Sequence, residues 1–448
     1  MSWTRVSAVV AAAVLGTVLH PGTADAGTCT RADRIRVPGA EHQVVSCLDD
    51  LTTAGTVRTG HTDPADWAGL HASGTRNPSG VPGVQVDGYF PDTSTSNTLH
   101  GWNHDSQFVI RLPRKWNGKL VVTGAPGVRR QYSLDYTISD WVVARGYAFA
   151  ATDKGNGGAE FFTDGTDPGD AVAEWNHRVT QLTVAAKQVV RQYYGHAPRR
   201  TYMTGISNGG YLTRWQLENH PELYDGGVDW EGTLWTAEGP NLFTYLPTAL
   251  REYPKYAAGD PAAHQVMLDA GFAPGSEPTW EFHHQYYWDV TQRIYREEFD
   301  PDYDGDLQAG IPFCQETQAP CDAGYEYADR PRQVVDAVRK VELTGRIGRP
   351  MITLHGTLDA LLPIATDSDV YARMIDAAGR SHLHRYYRLE GGTHVDSLHD
   401  ALPDVARPIL PCYRKAFEAM ERWVERGKAP APGATVPWDR SRDPLHSC

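Results

Sequence analysis

The hydrophobic pattern of this chain changes character twice, and the changes divide it into regions. From 29 to about 112 the apolar residues come in short alternating pieces, such as Val84-Gln85-Val86-Asp87-Gly88-Tyr89-Phe90 and Gln107-Phe108-Val109-Ile110-Arg111-Leu112, separated by Gly, Pro, Ser and Asn. Period-two alternation between turn residues predicts antiparallel strands entering a sheet. From Lys119 the pattern becomes strand, helix, strand. Lys119–Gly124 and Tyr147–Asp153 read as strands, with a short helix over Ser139–Arg145 between them. Thr180–Tyr194 has helical apolar spacing through Leu182, Ala186, Val189, Val190 and Tyr193. Arg200–Thr204 is a buried strand, Gly210–Glu218 a helix and Gly227–Glu231 a further strand. After a break the alternation resumes with Pro350–His355, a helix over Asp369–Ala378, a strand over Arg385–Leu389 and a closing helix over Pro411–Glu425. This order predicts an α/β fold with a mostly parallel sheet covered by helices on both faces.

Between Gly232 and Val341 the alternation stops. The stretch is rich in Trp, Tyr and His, including Trp235, Tyr245, Trp280, His283, His284, Tyr286, Tyr287 and Trp288, and its pattern is helical. We read 232–341 as a lid inserted into a core formed by 27–231 and 342–448. Most of its aromatics are expected to be packing residues, with one or two lining a substrate pocket.

Residues 1–26 read as an export signal: Arg5, an apolar run from Val6 to Leu19, and Ala24-Asp25-Ala26 as the cleavage site. No later stretch reaches the roughly 20 apolar residues that a membrane span needs. The expectation is a secreted, extracellular protein. Six cysteines agree with an oxidising compartment. Their pairing is open in the sequence; proximity suggests Cys29–Cys47, Cys314–Cys321 and Cys412–Cys448. The net charge of −13 argues against nucleic acid or an anionic membrane as partner.

The candidate chemistry sits at Gly205-Ile206-Ser207-Asn208-Gly209, between the Arg200–Thr204 strand and the Gly210–Glu218 helix. A strand, G-x-S-x-G and a helix together make a nucleophile elbow and mark the α/β-hydrolase fold. A serine hydroxyl needs a base, and the base needs a group to hold its tautomer. In this fold the acid and the histidine follow the serine in that order. Leu354-His355-Gly356-Thr357-Leu358-Asp359 and Glu390-Gly391-Gly392-Thr393-His394 supply them at two strand ends. Ser207 is therefore the expected nucleophile, His394 the base and Asp359 its orienting acid. Asp396, His355 and His399 are the neighbouring rivals. The oxyanion hole is expected from the N–H of Asn208 and one N–H in the Thr123–Gly127 loop. Pro126 has no N–H, leaving Gly124 or Ala125, with Ala125 preferred.

Asp300, Asp302, Asp304 and Asp306, with Gly305, match the first half of a calcium loop, although its twelfth position is Ile311 where a glutamate is usual. The expectation is a structural calcium ion in the lid, with no cofactor required for the chemistry.

Four segments carry a resemblance: Trp116-Asn117-Gly118-Lys119-Leu120, Gly146 to Gly155, Gly205 to Gly210, and His355 to Asp359. Through them the chain resembles α/β hydrolases of the tannase and feruloyl esterase type, and also extracellular 3-hydroxybutyrate oligomer hydrolases. The resemblance covers about 105 to 425 and implies hydrolysis of a small or oligomeric carboxylic ester. It departs at one point. Tannases join cysteines beside the serine and the histidine, where this chain has Ile206 and Val395. A peptidase or amidase on the same triad is the alternative, with Glu231 and Glu238 as clamps for a substrate terminus. A non-catalytic protein on this fold is the third reading.

Overall fold

The computed structural model describes residues 31–303 and 325–448. Its centre is a ten-stranded sheet in the order β1-β2-β3-β5-β4-β6-β7-β8-β9-β10. The strands are β1 His42–Leu48, β2 Gly83–Tyr89, β3 Gln107–Pro113, β4 Lys119–Gly124, β5 Ala148–Thr152, β6 Arg200–Ile206, β7 Gly226–Trp230, β8 Met351–Gly356, β9 His384–Leu389 and β10 Thr435–Val436. The first three pair antiparallel, and β3 also runs antiparallel to β5. Every pairing from β5 through β4 to β10 is parallel. The antiparallel entry and the parallel body follow the change of hydrophobic pattern.

Both faces of the parallel body are covered, which explains why its strands are apolar without alternation. Neighbours along one strand go to opposite cores: Tyr202 packs below the sheet and Met203 above, as do Val121 and Val122. The Leu410–Arg426 helix packs Phe417 and Met420 against one face. The Asp170–Tyr194 helix covers the other with Trp175, Val179, Leu182 and Val189. That helix begins ten residues before the expected Thr180.

Strands β7 and β8 are neighbours, so the chain between them leaves the sheet and returns beside its exit point. The described part of this excursion is helical, through Leu242–Ala257, Pro261–Asp269, Trp280–His283, Asp289–Phe299 and Arg332–Arg339. Trp235, Trp280 and Trp288 are fully buried, whereas Tyr286 is exposed. Trp288 Nε1 donates to the carbonyl of Ala360 at 2.7 Å, tying the insertion to the loop after β8.

Cys412 and Cys448 form a disulfide that returns the C-terminal tail to the Leu410–Arg426 helix. Cys47 is disulfide-bonded as well. Its expected partner Cys29, and the pair Cys314 and Cys321, lie outside the described residues, as does the segment read as an export signal. Among the described residues, no helix is long and apolar enough to cross a membrane.

Candidate active site

Ser207 stands at the end of β6, in the turn into the Asn208–Asn219 helix. Its backbone is at φ 57° and ψ −119°, a conformation that costs a residue with a Cβ and is kept only when its surroundings over-determine it. The surroundings do so. The N–H of Ser207 donates to Trp230 O at 3.0 Å, and its carbonyl accepts from Tyr211 N–H at 2.9 Å. A Cβ on Gly205 would lie 2.4 Å from the backbone carbon of Gly209, and one on Gly209 would lie 2.6 Å from Gly124 O. The two glycines thus let strand, turn and helix close on one another and lift the serine hydroxyl clear of the sheet.

His394 and Asp359 reach the same point from the loops after β9 and β8. Nδ1–H of His394 donates to Oδ2 of Asp359 at 2.8 Å, which leaves Nε2 to accept from the Ser207 hydroxyl at 3.2 Å. Asp359 is fully buried, and burial alone would raise its pKa. The charge of His394 and hydrogen bonds from His355 and His394 outweigh burial and hold it well below the carboxylate range. Its Oδ1 also accepts from the N–H groups of Leu361 and Leu362 at 2.8 and 2.9 Å. The acid of this group is therefore an anion.

The rivals are engaged elsewhere. Asp396 accepts from the N–H of Ile409 and Leu410 at 2.6 and 2.9 Å, at the start of the C-terminal helix. His399 is bonded to Ala406 O. His355 takes a supporting position, with Nε2 bonded to Leu362 O at 2.9 Å and 3.3 Å from Asp359 Oδ2. Its Nδ1 meets the hydroxyl of Ser368, which accepts from Arg214, and Arg214 is ion-paired to Asp229 and Asp367. A buried polar chain therefore runs from the elbow helix to the back of the acid.

The Thr123–Gly127 loop differs from expectation. The N–H of Ala125 donates to Thr152 O at 3.2 Å, extending the ladder between β4 and β5, so Ala125 has no donor to spare. One residue past Pro126, Gly127 lines the cavity at φ 50°. Among the described residues the N–H groups of Gly127 and Val128 have no hydrogen-bond partner, and that of Asn208 lies in the first helical turn, where no intrahelical acceptor exists. The Asn208 side chain donates to Gly127 O at 3.0 Å and to the Tyr295 hydroxyl at 2.5 Å, and accepts from Thr233 at 3.1 Å. It joins the elbow, the Thr123–Gly127 loop and the helical insertion at one atom group. Sequence reasoning missed Gly127, Tyr295 and this bridging role.

Above Ser207 lies a cavity of about 210 Å³ whose lining includes Gly127, Ile206, Asn208, Tyr287, Ile294 and Val395. Ile206 and Val395, the chain neighbours of Ser207 and His394, share one apolar cluster. Among the described residues Arg129 is the one side chain of fixed charge in the lining, held by the carbonyls of Asp66 and Ala68. Neither expected clamp reaches the cavity. Glu231 is buried behind His394, and Glu238 is exposed and paired with Arg339.

The acidic loop is described only in part. Asp300 gives both carboxylate oxygens to Arg330, at 2.6 and 2.9 Å, and accepts from the Tyr325 hydroxyl. Asp302 is exposed. Asp304 and Asp306 lie outside the described residues. A cation at this loop would have to share Asp300 with a guanidinium.

Residues 93–230 match the family model of tannase and feruloyl esterase. The matched stretch holds the Thr123–Gly127 loop and Ser207; Asp359 and His394 follow it. The chain is 28% identical over 143 residues to the mono(2-hydroxyethyl) terephthalate hydrolase of Piscinibacter sakaiensis, covering 29% of this chain and 24% of that protein. It is 27% identical over 161 residues to feruloyl esterase B of Aspergillus niger, covering 33% and 29%. These alignments span less than a third of the curated relatives' length. Solved structures extend the likeness in fold. Feruloyl esterase B from Aspergillus oryzae superposes with a TM-score of 0.54 at 16% identity, over 90% of this chain and 91% of that one. The tannin acyl hydrolase from Aspergillus niger gives 0.51 at 16% identity, over 89% and 87%. The fold is that of the α/β hydrolases.

Proposed function

We propose that the protein is a carboxylic ester hydrolase working through a serine acyl-enzyme. The observation that carries this reading is the hydrogen-bonded series Asp359, His394, Ser207 at the floor of a small, mostly apolar cavity. Ser207 Oγ attacks the ester carbonyl while Nε2 of His394 takes its proton, and Asp359 stabilises the imidazolium that forms. The negative charge on the carbonyl oxygen is met by the N–H of Asn208 and of Gly127. His394 then protonates the leaving alcohol, and the same base activates the water that releases the acid. Every proton and charge in this sequence has a named protein partner, so the chemistry requires no metal or cofactor. Ester hydrolysis is expected to be unchanged by EDTA; a loss of kcat restored by calcium would assign the acidic loop a role in activity.

The cavity size supports a short or single-ring acyl group. A closed cavity of roughly 150 Å³ already holds a benzene ring, and here about 210 Å³ is walled by Tyr287, Ile294 and Val395. Relatives named for feruloyl and terephthalate esters agree with an aromatic acid. Among the described residues no acidic side chain lines the cavity, which favours an ester over a peptide terminus. Export is supported by the disulfide at Cys412 and Cys448 and by the amino-terminal signal pattern.

The test is a panel of p-nitrophenyl esters of short, long and benzoic acids with wild type and Ser207→Ala. We expect wild type to prefer short and benzoic esters, and the variant to lose on the order of 10⁵- to 10⁶-fold in kcat. Equal rates for the two proteins would overturn the reading.

A further inference from the structure

One group at the triad is unused by this mechanism. Glu231 follows β7 directly, and its backbone is at φ 50°, the left-handed region that favours glycine. Its N–H donates to Leu354 O at 2.8 Å, and its Oε1 accepts from Gly356 N–H at 2.7 Å. The residue is thus fastened on both sides to the end of β8, where the acid loop begins. Its other oxygen, Oε2, is buried without a hydrogen-bond partner among the described residues. That oxygen lies 3.9 Å from Nδ1 of His394, the nitrogen that Asp359 already holds at 2.8 Å.

Two carboxyl groups therefore face one N–H in a buried site. Near neutral pH only one of them carries charge there, because like charges at this range in a buried site repel strongly. The division follows from their donors. Asp359 receives His394, two backbone N–H groups and the neighbouring His355, whereas Glu231 receives Gly356 alone. The charge settles on Asp359 and the proton on Glu231, whose pKa is raised well above the usual value by burial and then by Asp359. The other ionisable groups around it are Asp229, ion-paired to Arg214, and Asp396, whose own pKa burial raises to about 7.

We propose that Glu231 is a second orienting carboxyl of the triad, a positioning residue held in reserve on Nδ1 of His394. When Asp359 is neutral, Glu231 gives up its proton to solvent and supplies the anion that holds the imidazole. When both are present, ionisation of Glu231 on the alkaline side adds a second negative charge facing the imidazolium that forms during the reaction. This rests on the serine-esterase reading above and deepens it.

The test combines Asp359→Asn, Glu231→Gln and the double variant, with kcat/KM for p-nitrophenyl acetate followed from acid to alkaline pH. Where a lone orienting carboxylate is replaced by its amide, about 10⁴-fold is lost. Here Asp359→Asn should lose only about 10²-fold and recover with rising pH, as Glu231 ionises. The double variant should fall at least ten-fold further and stay flat with pH. If Glu231→Gln changes neither the level nor the pH slope of Asp359→Asn, the proposal is wrong. Should Asp359→Asn fail to fold, Glu231→Gln alone decides: the alkaline rise of the wild-type profile must be reduced, and an unchanged profile overturns the idea. Failure of the esterase reading would look different, since wild type would then match Ser207→Ala at every pH.

Discussion

Single residues hold this site in conformations that the chain would not choose. Ser207 and Glu231 both have positive φ at the ends of adjacent strands, and both side chains converge on His394. Buried histidines set a different, pH-dependent term. His384 is held neutral in the folded protein, its pKa pulled down to about 3 by burial and then by the charges of Arg214 and Arg385. The unfolded chain takes up this proton near pH 6.5. Its contribution is therefore complete above that pH and lost as pH falls toward 3. Between pH 6.5 and 4.5 that amounts to about 2–3 kcal/mol. Thermal unfolding of wild type should steepen over this window, and His384→Gln should unfold with a shallower pH dependence; parallel curves would contradict the assignment. Ser207, Asp359 and His394 were legible as a motif with two followers in the expected order. The loop donor was not, because whether Ala125 or Gly127 keeps a spare N–H depends on where the ladder between β4 and β5 ends. Glu231 carries no motif at all.

The elbow is the element on which the site depends. Its sharpness comes from contacts between backbones rather than between flexible side chains, so it has no means of yielding. Gly205→Ala places a methyl 2.4 Å from the Gly209 carbonyl carbon, and overpacking of this kind costs on the order of 3 kcal/mol. We expect a lower melting temperature and a loss of ester hydrolysis of at least 10²-fold; near-normal activity would show that the elbow can open. The strands of the parallel body were readable because they are apolar on both faces. The Asp170–Tyr194 helix was cut short in the sequence reading, because Asp167-Pro168-Gly169-Asp170 reads as a turn and Glu174, Asn176, His177 and Arg178 dilute the apolar stripe. Strand β10, two residues long, has no periodicity to read.

At the scale of the molecule, the two halves of the sheet and the helical insertion share one task. The sheet brings three loops to one edge, and the insertion closes over them while bonding to two of those loops through Tyr295 and Trp288. Neither bond could be foreseen, since both join segments remote in sequence. The Cys412–Cys448 pairing suggested by proximity is present and ties the C-terminal tail across a separation of 36 residues. Closing a loop of that length is worth roughly 4 kcal/mol in the chain-entropy account. The double variant Cys412→Ser, Cys448→Ser should release the tail beyond Gly427 to proteolysis while the catalytic core stays folded; a tail that remains resistant would mean that β10 and its packing suffice.

The most direct test of the central claim is the mass of the protein after brief exposure to a fluorophosphonate, followed by peptide mapping. We predict one adduct, on Ser207, absent from His394→Ala on the same timescale. A folded wild-type protein that acquires no adduct, or acquires it on another residue, would contradict the account.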